Sequence, residues 1–86
     1  MNYKNKLPQK WNEREFHQWK RDVGTRLRKA IEVEYGERQM FQFAKDVGIS
    51  QGSLSEIVNG ISLPCAHTLF KITENTTISV QYLLKG

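Results

Sequence analysis

The stretch from Met40 to Gly60, MFQFAKDVGISQGSLSEIVNG, constrains the fold of this chain more than any other. Phe43 and Val47 are one helical turn apart, and so are Leu54 and Ile57, so each pair lies on one face of a short helix. Between the pairs stands Gly48, at a place where a left-handed backbone would turn the chain, a conformation costly for any residue with a Cβ. Ser50 follows as an N-cap for the second helix, its hydroxyl suited to the unsatisfied amides of the first turn. Two helices that double back after so few residues must cross at a sharp angle. Close approach at the crossing demands a small side chain, which Ala44 supplies, while Ile49 is placed to plug the angle.

The remaining segments read as helices that could enclose such a pair. From Trp11 to Tyr35 the residues Phe16, Trp19, Val23, Leu27, Ala30 and Ile31 recur at intervals of three or four. Asn12 with Glu15 forms a capping-box pattern, and Gly36 suits the C-terminal stop. Gly24 leaves open a break in this helix, so the count is five or six. Beyond Gly60 come apolar clusters at Leu69 to Ile72 and Ile78 to Leu84, divided by Pro64 and by Thr76 and Thr77. The β-branched run Thr73 to Val80 has strand propensity, but Asn75 and the threonines interrupt it. A loop ending in Ser79 as an N-cap is the preferred reading.

Eighty-six residues allow one core, and a hydrophobic fraction of 38% is enough to form it. The reading is therefore a compact all-α domain over residues 12–86, preceded by a basic arm at residues 1–11. No apolar run reaches the length of a membrane span, and Met1 to Lys10 lacks the apolar centre of a signal peptide. A single cysteine, Cys65, forms no internal disulfide and has no zinc-like spacing to partners, so a cytoplasmic setting with no metal or cofactor is expected. Cys65 and His67 have no carboxylate orienter nearby, and no nucleophile–base constellation or glycine-rich phosphate loop is present, so the chain is not expected to be an enzyme or to take a small-molecule substrate.

The net charge is +4, and its placement is uneven. Nine basic and five acidic side chains fall in the first 36 residues, against four of each in the rest. Such a bias favours a polyanionic partner through counterion release. The second short helix then offers an outward face of Gln51, Gly52, Ser55, Glu56 and Asn59, all short or polar. Side chains of this kind at a helix N-terminus suit the DNA major groove, with Gln fitted to bidentate pairing with adenine and Glu able to accept from a cytosine amino group.

With these residues in view, the chain resembles the helix-turn-helix domains of phage CI-type and Cro-type repressors, also called the XRE-like family. The resemblance covers roughly Asp22 to Gly86. It rests on Phe43, Ala44, Val47, Gly48, Ile49, Leu54 and Ile57, and on the Asn59-Gly60 stop. Pro64 with Thr68 and Leu69 is similar to the family's fourth helix, and SVQYLLKG to its fifth. The resemblance implies a lambda-repressor-like fold of five to six helices that binds a double-stranded DNA operator as a homodimer and regulates transcription, most often as a repressor. It puts base contacts at Gln51, Gly52, Ser55 and Glu56, and phosphate contacts at Ser50 and Asn59. Ser53, Gln39 and Arg28 complete the expected phosphate set, and Lys4, Lys6 and Lys10 suit an arm around the duplex.

Two positions depart from the family pattern. Met40 stands where many relatives carry a phosphate-gripping Gln, with Gln39 one residue early. Glu32 and Val58 stand where many relatives pair an Arg with a Glu. The alternative expectation is a protein-interaction module on the same fold, antitoxin-like or anti-repressor.

Overall fold

A computed structural model of the protein describes residues 12–86, so the basic arm expected at residues 1–11, with Lys4, Lys6 and Lys10, lies outside the described residues. Five helices follow one another: α1 (Glu13–Tyr35), α2 (Met40–Val47), α3 (Gln51–Val58), α4 (Ala66–Asn75) and α5 (Val80–Lys85). The described residues contain no strand, and none of their helices is long and apolar enough to cross a membrane.

Three of the five helices, α1, α3 and α5, begin at a capping side chain. The Asn12 side chain accepts from the Glu15 amide at 2.8 Å, and the Ser79 hydroxyl accepts from the Tyr82 amide. Both satisfy donors that a first helical turn leaves without carbonyl partners. α4 runs through Asn75, three residues past the apolar cluster. Its threonine and asparagine side chains bond back to the preceding turn: Thr73 Oγ1 to the Leu69 carbonyl, Asn75 Nδ2 to that of Lys71, Thr76 Oγ1 to that of Ile72. Bonding of this kind satisfies these side chains within the helix, and the packing of Ile72 in the core overrides the strand propensity of the segment.

α1 is unbroken, and this corrects the reading of Gly24 as a possible helix break. Gly24 is buried where α1 passes over the last turn of α3. A Cβ built there would sit 2.3 Å from the Ile57 carbonyl oxygen and 3.0 Å from that of Val58. The glycine therefore permits contact between two backbones. Gly60 does the same one turn on, with φ +75° and the Arg21 backbone of α1 against it.

The core is one cluster drawn from all five helices: Leu27, Ile31, Phe43, Ala44, Val47, Leu54, Ile57, Val58, Ile72, Ile78 and Leu83. Burying each of the larger side chains contributes about 1.5–3 kcal/mol. Tyr35 stacks edge-on against Phe43 at 5.5 Å between centroids. Its hydroxyl donates to Asp46, and burial, followed by that carboxylate, pushes its pKa up. The C-terminal helix is held to α1 by donors at its carbonyl end, Trp19 Nε1 to Leu84 O at 2.8 Å and Arg26 Nη1 to Leu83 O at 3.2 Å. Orphan carbonyls of a last turn are satisfied in this way.

Candidate nucleic-acid interface

The site is built on the bend between α2 and α3. Gly48 adopts φ 84° and ψ 36°, the left-handed conformation its position calls for, and its amide and that of Ile49 both close on the Ala44 carbonyl. Ala44 is 2% exposed, within the cluster that joins α2 to α3. From α4, Lys71 Nζ donates to the Gly48 carbonyl at 3.0 Å and braces the bend from outside. Ser50 then opens α3, its hydroxyl accepting from the Ser53 amide and donating to the Ser53 hydroxyl, each at 3.0 Å. Leu54, Ile57 and Val58 hold one side of α3 in the core, which turns Gln51, Gly52, Ser53, Ser55, Glu56 and Asn59 outward, all exposed.

In front of this face lies an open groove of about 500 Å³ between α1, the α1–α2 connection and α3. Five of the residues singled out from sequence line it: Arg28, Gln39, Gln51, Ser55 and Asn59. Ser50, Gly52, Ser53 and Glu56 do not line the groove. Among the described residues the side chains of Gln51 and Glu56 have no hydrogen-bond partner, so both are available to a ligand. Gln39 stands at the N-cap of α2 without capping it, which leaves its amide available as well.

Two other residues on the face are bonded to one another. Arg28 Nη2 donates to Asn59 Oδ1 at 3.0 Å, and Asn59 Nδ2 donates to the Ser55 hydroxyl at 3.2 Å. A polar link thus joins α1 to the outward face of α3.

The groove is also lined by Arg38, Met40 and Phe41, which were not among the candidate site residues. Arg38 has φ 61° ahead of α2, left-handed backbone that costs a side-chain-bearing residue about 1 kcal/mol. Phe41 is 62% exposed at the rim, beside the half-buried Met40. The helical period held the signal for Phe41: it is two residues, or about 200°, from the buried Phe43. Nothing in the sequence marks Arg38 as left-handed.

Elsewhere, Cys65 is the N-cap of α4 and lies exposed beside Thr68, whose hydroxyl contact at 3.4 Å draws the thiol pKa down. No group of three His, Cys, Asp or Glu side chains gathers among the described residues.

No family model, curated protein or solved structure matches the chain.

Proposed function

We propose that this chain is a non-enzymatic, sequence-specific binder of double-stranded DNA, a cytoplasmic transcriptional regulator of the phage-repressor type. In this reading α2 and α3 are a helix-turn-helix, and the domain has a lambda-repressor-like fold. The observation that carries the reading is the outward face of α3, a capped helix whose exposed side is polar from Gln51 to Asn59 while its other side is held in the core. An α-helix with such a face fits the major groove.

Gln51 and Glu56 then read base edges, Ser55 contacts them one turn on, and Gly52 lets the helix approach closely. Gln39, Ser50, Ser53, Asn59 and Arg28 ring the face and suit phosphate contacts, which set register and carry no sequence information. The basic excess of the first 36 residues adds a salt-dependent attraction to the duplex. An operator of two half-sites calls for a homodimer. In this reading the second copy docks on the shallow groove between α1 and α5, bordered by Tyr82 and by Val33, which is 81% exposed.

A second reading draws on Phe41. An exposed aromatic beside Met40 suits the centre of a protein interface, so a partner protein docked on the same groove is the rival. A mobility-shift series on randomised duplex DNA, with sequencing of the bound fraction, separates the two. Enrichment of one motif supports DNA recognition. A chain that retains no duplex even at low salt favours the protein partner.

A further inference from the structure

The hydrogen-bonded chain from α1 to the outward face of α3 fixes the chemistry of one contact. A guanidinium only donates, so the Asn59 atom facing Arg28 must be the carbonyl oxygen. The amide nitrogen is thereby turned to Ser55, whose oxygen must accept. With one lone pair taken and its O–H polarised by the bond it receives, the Ser55 hydroxyl is biased toward donating its hydrogen to whatever lies against α3. Arg28, Ser55 and Asn59 all border the groove in front of that helix.

The geometry points to Arg28 as a positioning residue that, through Asn59, sets the Ser55 hydroxyl as a hydrogen-bond donor. At one operator position the protein then prefers a base with a major-groove acceptor, guanine, thymine or adenine through N7, over cytosine. This rests on the DNA-binding reading above and adds the sign of one contact to it. Guanine presents N7 and O6, thymine O4 and adenine N7 as acceptors in the major groove, whereas cytosine presents only an amino group that needs an acceptor. Arg28 exerts this effect from α1, through one intervening side chain, whatever contact it also makes with phosphate.

The test uses the full chain and the duplex it selects from a randomised pool, with each base position then varied in turn. Ser55→Ala is expected to flatten the preference at one position. Arg28→Met flattens that same position by about two- to tenfold, the range of one hydrogen bond. Arg28→Lys, still a donor, restores it. In the Ser55→Ala background Arg28→Met has no further effect there. Asn59→Asp keeps an acceptor for Arg28 but presents one to Ser55 also, which draws the hydroxyl hydrogen inward and shifts the position toward cytosine. A readout without DNA comes from the side-chain amide resonances of Asn59, which move in Arg28→Met. An Arg28→Met protein that loses affinity equally on every duplex, with all position preferences intact, overturns the inference and leaves DNA recognition standing. A wild-type chain that retains no duplex removes both.

Discussion

Replacing Gly24 with Ala inverts the usual expectation for a helix-interior glycine. In an open helix the change stabilises by about 0.5–1 kcal/mol, because alanine is the better helix former. At Gly24 the new Cβ would lie 2.3 Å from the Ile57 carbonyl oxygen and 3.0 Å from that of Val58. Both obstacles are backbone, so no rotamer change relieves them, and α1 must move about 1 Å off the last turn of α3. Overpacking of this kind costs about 1–3 kcal/mol, and a fixed backbone obstacle places it at the upper end. Subtracting the gain in propensity leaves a net loss of about 2 kcal/mol. For a domain of this size that lowers Tm by about 8–16 °C. The matched control is Gly52→Ala in α3, where an added Cβ meets nothing within 4 Å. That variant should melt at or slightly above the wild-type temperature. Thermal melts followed by circular dichroism compare the two. A Gly24→Ala protein more stable than wild type would refute the close packing of α1 on α3.

Four further outcomes follow from the same contacts. Ser50→Ala removes the N-cap of α3 and is expected to cost about 1 kcal/mol in denaturant melts. Lys71→Met removes the donor to the Gly48 carbonyl while keeping the aliphatic stem, and should cost about 0.5–1 kcal/mol, read in the same melts. The Tyr35 pKa is raised by burial and by Asp46, so the folded state holds this proton more tightly than the unfolded one. The resulting stabilisation is fully present below the unfolded pKa of about 10 and is lost as pH rises through the raised folded value. Tyr35→Phe should accordingly lose less Tm than wild type between about pH 9 and pH 11. Gln51→Ala is expected to cost about 1–3 kcal/mol on the selected duplex and little on random DNA, measured by fluorescence anisotropy.

The bend was the most legible part of the sequence. A glycine required to be left-handed, a serine required to cap and a small residue required in the cluster make local demands that only a few residue types meet, and Gly48, Ser50 and Ala44 meet them. Gly36 and Ser79 were legible on the same grounds. The approach of α1 to α3 was not. A glycine that breaks a helix and one that lets two backbones touch look alike in sequence, and only the position of α3, set by the rest of the core, distinguishes them at Gly24. Phe16 shares the helical period of Val23 and Leu27, yet the stripe is buried only from Val23 onward and Phe16 is exposed near the start of α1.

Of the candidate site, residues on α3 itself could be placed from sequence, because capping at Ser50 and burial of Leu54 and Ile57 fix which side faces out. Residues reaching it from other elements could not be placed so well. Arg28 was one of several basic side chains on α1, and nothing in their spacing singles out the one that meets Asn59. Arg38 enters the groove through the α1–α2 connection, whose backbone path obeys no periodicity, whereas Phe41 stands in α2, where the helical period turns it away from Phe43.

DNA recognition by this domain requires that the outward face of α3 be the surface that meets the duplex. The direct measurement is a titration of the isotope-labelled chain with its selected duplex, followed by backbone amide resonances. Shifts are expected to concentrate from Ser50 to Asn59 and around Gln39, strongest at low salt, with the core residues of α4 unmoved. Shifts confined to the α1–α5 face around Val33 and Tyr82, or a spectrum unchanged by DNA at low salt, would contradict recognition by this face.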